Sequence, residues 1–328
     1  MKITMAHGSG GKATAELIEE IFEKSFHNPV LARMEDSAVV PGAEKIAMTT
    51  DSFVVTPLFF AGGDIGRLSV CGTVNDLLMS GATPRYITCG FILEEGAETE
   101  DLKKIAASMA DTTREAGVTI VAGDTKVVEG KGGVYINTAG VGFVPSNIAL
   151  SASSCEKGDI VLLSGNLGDH HAAILSERMH IQNTIRSDCA PLNEMVNALL
   201  KNGVKVKTMR DVTRGGLGTV LNEFAAASSC CIELEEESIP VSSQVHGFCE
   251  ILGLDPLYMG NEGKMTVVVA PDDAQKALAC MKKSRYGENA AIIGTVVAGE
   301  PGTVLLHTPI GGTRIVTVLY GEGLPRIC

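Results

Sequence analysis

The chain has 328 residues, room for two domains, with 45% hydrophobic and 20% charged residues, 37 glycines and no tryptophan. That profile belongs to a globular α/β protein rich in tight turns and excludes a disordered or fibrous one. A formal charge of −12 with no lysine-rich run argues against nucleic acid or an anionic membrane as partner, and no apolar run reaches the roughly 18 residues of a membrane span.

Apolar periodicity alternates short strands with amphipathic helices. Residues 13–25 place Leu17, Ile18, Ile21 and Phe22 on one helical face, with Glu16, Glu19, Glu20 and Glu23 elsewhere. Strands are predicted at 45–50, 85–93, 118–122 and 134–144, with helices at 64–80 and 99–116. The texture changes near 145–158, where Pro145-Ser146-Asn147 and Ser151-Ala152-Ser153-Ser154 mark a boundary. The expected organisation is therefore a domain over 1–150, a second over 151–320 and a tail over 321–328. The second domain is predicted to hold strands at 159–164, 265–270, 291–297, 303–308 and 313–320, and helices at 168–179, 191–202, 216–228, 242–252 and 272–283.

Nine cysteines lie between Cys71 and Cys328 without a C-x-x-C pair, which reads as reduced thiols, most of them core residues. The N-terminus lacks the apolar region of a secretory signal, so a cytoplasmic protein is expected. The chain ends Pro325-Arg326-Ile327-Cys328, too late a cysteine for prenylation. It reads either as a frayed end or as a thiol carried to a site on a tether containing Gly321 and Gly323.

Three constellations stand out. His7-Gly8-Ser9-Gly10-Gly11-Lys12 is a glycine-rich loop entering the first helix, where backbone N–H groups can hold phosphate oxygens. It does not have the spacing of a Walker A loop, and Gly8-x-Gly10-x-x-Ala13 is a weak dinucleotide fingerprint after a poor strand. Four aspartates, Asp36, Asp51, Asp76 and Asp124, each follow an apolar segment. Turn and cap chemistry explains many such residues, but carboxylates converging from several segments need a hard cation, and Mg²⁺ with substrate phosphates is the common solution. The third comprises Arg210-Asp211-Val212-Thr213-Arg214-Gly215-Gly216 and Gly260-Asn261-Glu262-Gly263-Lys264, charged turns at element boundaries. His170 and His171 are adjacent and have no partner at ligand spacing, so zinc is not expected.

Taken together, these motifs, with Thr50-Asp51-Ser52, the run from Gly66 to Asp76, Ala122-Gly123-Asp124-Thr125-Lys126 and the Pro-Arg-Ile-Cys ending, resemble the HypE family of hydrogenase maturation factors. That family belongs to the superfamily of aminoimidazole ribonucleotide synthetase and selenophosphate synthetase. The resemblance implies an α/β (α+β), two-domain PurM-like fold whose N-terminal domains pair into a β-barrel across a homodimer. It implies ATP-dependent dehydration of a carbamoyl group on Cys328 to a thiocyanate, supplying cyanide ligands to the iron of [NiFe]-hydrogenase. The carbamoyltransferase HypF would load the thiol and a HypC–HypD complex would receive the cyano group.

By the same resemblance Cys328, Glu262 and Lys126 would be catalytic, Glu262 as base and Lys126 at the reacting oxygen. Gly8, Ser9, Gly10, Gly11, Asp51, Asn75, Asp76, Asp124 and Thr125 would bind the nucleotide, and Asp36, Asp51, Asp76 and Asp124 would hold Mg²⁺. Thr213 and Arg214 carry no assigned role, and His171 stands where relatives commonly carry glycine. The alternatives are a related small-molecule synthetase or kinase, such as selenophosphate synthetase, and a non-catalytic tail-docking module. The glycine-rich loop contains no reactive cysteine, which disfavours selenophosphate synthetase.

Overall fold

Residues 2–9, 11–33 and 37–318 are described by the computed structural model. The predicted first helix is α1 (Lys12–Leu17), which continues through a π-helical stretch, Ile18–Glu23, into α2 (Lys24–Phe26). There follow β1 (Ile46–Phe53), β2 (Phe59–Phe60), β3 (Gly63–Asp64), α3 (Ile65–Met79), β4 (Thr83–Glu94), α4 (Thr99–Ala116), β5 (Thr119–Val128) and β6 (Val134–Phe143). The main sheet of this half runs β1-β6-β4-β5 and is antiparallel except for β4 with β5. α3 is buried on every side, from Ile65 to Leu78, as an apolar helix between two domains must be. Asp64 caps it, accepting N–H bonds from Gly66 at 2.7 Å and Arg67 at 3.1 Å.

The second half contains β7 (Ile160–Leu163), α5 (Asp169–Met179), α6 (Asn193–Lys201), β8 (Val206–Asp211), α7 (Gly216–Ser228), β9 (Cys231–Glu235), α8 (Ser243–Leu252), β10 (Met265–Val269), α9 (Ala274–Lys283), β11 (Ala291–Val297), β12 (Thr303–His307) and β13 (Thr313–Ile315). They form a seven-stranded sheet ordered β13-β12-β9-β11-β7-β10-β8, in which only β9 and β12 are parallel neighbours. Both faces are covered. Met265, Val267 and Val269 of β10 join the core that holds Ala173, Leu199 and Ala277, whereas Val268 joins Phe224, Ile232 and Val304 beneath α7. The first of these cores continues into the N-terminal half through Val70, Val74 and Leu78 of α3.

Two expectations are corrected. β1 and β5 run past 50 and 122, so Asp51 and Asp124 lie within strands instead of at their ends. β8 and β9 were not expected: β8 sets Thr208 and Met209 between Lys207 and Arg210, and β9 follows α7 after two residues, of which Ser229 is in the left-handed region. Neither offers a long apolar run, and both are strands because a neighbouring strand supplies the pairing. All eight described cysteines are free, and six are buried.

Candidate functional site

Carboxylates meet where α3 lies between the two sheets. Asp51 sits on the inward face of β1 with Phe53, both close to Gly72 of α3. Asp76 of α3 accepts a 2.8 Å hydrogen bond from the Thr49 hydroxyl. Asp211 ends β8, and Glu262 precedes β10, whose Met265 pairs with Asp211. Burial raises Asp51 and Asp76 above the usual carboxylate range, with Asp76 adding to the shift at Asp51 and Arg214 and Arg210 opposing it. Asp211 is pushed to about 7 by burial and then by Asp76 and Asp51. Glu262, 9% exposed, is raised well above the carboxylate range by burial, then by Asp211, Asp188, Asp51 and Cys71.

Glu262 is held by its backbone. Its N–H donates to Asp188 Oδ1 at 3.0 Å, and its carbonyl accepts from the Ala190 N–H at 3.3 Å and Asn75 Nδ2 at 3.4 Å. Asn261 beside it donates to the Val212 and Met259 carbonyls and accepts from the Gly168 N–H. Behind it lie Asp169, raised to about 6 by burial and Asp188, and His170, lowered to about 4 by burial. His170 bonds Ser187 through Nδ1 at 2.8 Å, and its ring meets Phe60 edge-on. His171 accepts from the Gly260 N–H. The histidine pair is thus core structure at the start of α5.

A second centre lies at the β5 edge. A cavity of about 360 Å³ is lined by Gly8, Thr14, Phe22, Phe91, Thr125 and Lys126, among others. Phe22 and Phe91 meet in its lining with centroids 4.5 Å apart and rings tilted by 35°. Gly8 must be glycine, because a Cβ there would stand 2.8 Å from both the backbone N and the Cβ of Val127. Lys126 Nζ pairs with Asp124 at 2.9 Å, and this bond lowers the Asp124 pKa. Ser9 donates to the Ala6 carbonyl, and Gly11 precedes α1 with open space around it.

The expected site residues therefore divide. Asp51 and Asp76 come together, joined by Asp211, which had no assigned role. Asp124 does not join them within one chain. The ladder aligns Asp51 with Thr138, Cys89 and Gly123, so Asp124 is one residue out of step and faces the opposite side, about three strand spacings or 14 Å away. Lys126 shares that outer face, so it and Glu262 do not meet either. Asn75, expected at the nucleotide, donates from Nδ2 to the Ala190 carbonyl at 3.0 Å and to the Glu262 carbonyl, and its Oδ1 accepts from the Leu192 N–H, so its side chain ties the domains together. Gly10, Asp36, Cys328 and the tail lie outside the described residues.

Among the described residues no three acidic, histidine or cysteine side chains are close enough to hold a metal ion by themselves. The donor set nevertheless fits Mg²⁺, which takes one or two carboxylates and fills its octahedron with water and phosphate. Without such an ion the cluster is costly. Asp211→Asn is expected to stabilise the metal-free protein at pH 8, by 1 kcal/mol or more as an order of magnitude. The Asp211 pKa is raised on folding, so its penalty is full above about 7 and vanishes below the unfolded value near 4. Melting in chelator at pH 8, 6 and 4 should show the gain fading as the pH falls.

Two α/β domains sharing a buried helix, with carboxylates gathered at their junction, define an AIR synthase related protein. The family models for its N-terminal and C-terminal domains match residues 34–144 and 156–307. The chain is 49% identical to carbamoyl dehydratase HypE of Azotobacter vinelandii, covering 99% of this chain and 97% of the relative, and 47% identical to that of Escherichia coli K12, covering 99% of each. A crystal structure of hydrogenase maturation protein HypE in complex with ATP superposes with a TM-score of 0.95 at 43% identity over 99% of both chains, and one of a HypE–HypF complex with 0.81 at 48% over 92% of this chain and 99% of the other. The chain belongs to the HypE carbamoyl dehydratase family. Thiamine-monophosphate kinase from Stenotrophomonas maltophilia, at 20% identity, 89% and 95% coverage and a TM-score of 0.68, shares the fold alone.

Sequence reasoning missed Asp211, Asp188, Asp169 and Lys264 as members of the junction. Asp211 and Lys264 lay inside motifs already singled out. Asp188 carried no local signal, because only the packing of its loop against Gly263 brings it to Glu262.

Proposed function

We propose that this carbamoyl dehydratase of hydrogenase maturation acts on a carbamoyl group carried by its own Cys328, converting the thiocarboxamide to a thiocyanate. Whole-length similarity to carbamoyl dehydratases carries the reading, and the buried, backbone-clamped Glu262 supports its mechanism. ATP, bound with Mg²⁺, would supply a phosphoryl group that turns the carboxamide oxygen into a leaving group. Glu262 would take the N–H protons on its carboxylate, a task suited to an acid whose pKa lies above the carboxylate range. Asp51 and Asp76 would hold the Mg²⁺. Gly8, Ser9, Gly10, Gly11 and Thr125 would line the nucleotide's path, with Asp124 orienting Lys126 toward the reacting oxygen. Asp36 and Asp124 remain further candidates for metal binding.

A second copy is part of this reading. The outer face of the first sheet leaves Met48 70%, Ile46 49% and Ile92 43% exposed, on the side from which Asp124 and Lys126 project. Pairing two copies there would close a barrel and bury Lys126 at the interface. Met48→Asp is expected to yield a folded monomer, seen as a halved mass in light scattering with little change in melting. HypF is proposed as the carbamoyl donor, in line with the HypE–HypF complex of a relative, and a HypC–HypD complex as acceptor. No helix among the described residues is long and apolar enough to cross a membrane, and we place the reaction in the cytoplasm.

The test is intact-protein mass spectrometry of chain carbamoylated by its partner. Loss of one water on adding Mg-ATP is expected, with none when ATP is withheld. Water loss without ATP, or none with it, overturns the reading.

A further inference from the structure

The loop Ser187–Leu192 is a strap between the domains. Ser187 N–H donates to the Ala61 carbonyl at 2.7 Å, Arg67 Nε to the Cys189 carbonyl at 2.8 Å, and Asn75 grips the Ala190 carbonyl and the Leu192 N–H. Arg67 is itself fixed, bonding Glu115 at 2.9 Å and the Tyr286 hydroxyl at 3.2 Å. Three residues of the N-terminal half, Ala61 in the β2–β3 turn and Arg67 and Asn75 on α3, thus determine where this loop lies. It bears directly on the Glu262–Gly263 peptide, because a Cβ on Gly263 would come 1.9 Å from the Asp188 carbonyl oxygen.

Within the strap, Asp188 is 3% exposed at its side chain. One carboxylate oxygen accepts the Glu262 N–H, and the other has no hydrogen bond and stands 3.4 Å from Lys264 Nζ, itself on a side chain 10% exposed. Lys264 donates to the Gly263 carbonyl at 3.3 Å, and its stem lies against Gly165. Asp169 lies near both, and the Glu262 carboxyl and His170 also feel the Asp188 charge. Burying two opposite charges to hold one peptide N–H costs more than a neutral asparagine would. A charge-assisted bond is shorter and stronger than a neutral one, and it fixes the backbone from which the Glu262 carboxylate projects.

We infer that Asp188 is a positioning residue for Glu262 and that Lys264 supplies the counter-charge on which that contact depends. The inference rests on the reading of Glu262 as the base. Asp188→Ala leaves the Glu262 N–H without its acceptor, Asp188→Asn retains a weaker acceptor, and Lys264→Met leaves Asp188 buried beside no cation, so that the strap must open to hydrate it.

The experiment is single-turnover dehydration of the carbamoylated full-length chain with Mg-ATP, reading kcat and the KM for ATP separately. Displacing a catalytic group by an ångström costs about 100-fold, so a fall in kcat approaching that is expected for Asp188→Ala, about tenfold for Lys264→Met and about threefold for Asp188→Asn, with KM unchanged. The decisive comparison is the double variant Asp188→Asn/Lys264→Met, expected to match Asp188→Asn alone because a neutral acceptor needs no counter-charge. Equal harm from Lys264→Met in both backgrounds overturns the inference, as does a normal kcat in Asp188→Ala. If Asp188→Ala fails to fold, the Lys264 comparison decides by itself. Normal dehydration by Glu262→Gln would sink the underlying reading; a stalled Glu262→Gln with wild-type rates in the strap variants sinks the inference alone.

Discussion

Glu262→Gln is expected to bind ATP as the wild type does and to accumulate the carbamoylated form, with dehydration slowed by about 10² to 10⁴, the usual contribution of a positioned base. The substitution is nearly isosteric, and the hydrogen bonds that hold Glu262 run through its backbone N–H and carbonyl, which glutamine leaves in place. Removing the charge also relieves repulsion from Asp211, Asp188 and Asp51, the groups that raise its pKa after burial itself. The variant should therefore melt at or above the wild-type temperature. Calorimetry with ATP and intact-mass analysis after one turnover separate binding from chemistry. Wild-type dehydration in a folded Glu262→Gln removes this residue as the base.

Gly263→Ala is expected to have the largest effect on stability. The added methyl would meet the Asp188 carbonyl oxygen at 1.9 Å and the Ala190 nitrogen at 2.9 Å, both backbone atoms that no rotamer change can clear. The strap cannot simply retreat, because Ala61, Arg67 and Asn75 hold it from the other domain. Relief requires breaking several of these bonds or displacing the Glu262 turn, at a cost of about 3 kcal/mol or more. Chemical denaturation should show this loss, and the surviving folded fraction should dehydrate slowly because Glu262 has moved. Wild-type stability in this variant would mean that the strap gives way more easily than its bonds indicate. The same substitution at Gly11, where a Cβ meets nothing within 4 Å, serves as a control for stability.

Much of the architecture was legible in the chain itself. The long segments at 64–80, 99–116 and 216–228 appear as α3, α4 and α7, the last two because an apolar stripe at helical spacing has few other ways to be buried and α3 because it is apolar all round. The resemblance to the HypE family rested on motifs spread over most of the chain, and the whole-length similarity to HypE relatives agrees with it. The short strands β8 and β9 were not legible, since their pairing with β10 and β11 comes from residues distant in sequence.

For the site, the sequence by itself singled out the candidates for chemistry: the acid in Asn261-Glu262-Gly263, the aspartates at 51, 76 and 124, and Lys126. Only the tertiary structure decided their company. Strand alternation and ladder register turned Asp51 inward to Asp76 and Asp124 outward to Lys126, a distinction of a single residue of register. Packing gave Asn75 the hydrogen bonds of an interdomain tie, and it carried Asp188, Lys264 and Asp211 to the junction. Local pattern reports what a residue can do; which residues it meets depends on contacts that close only when both domains have folded around α3.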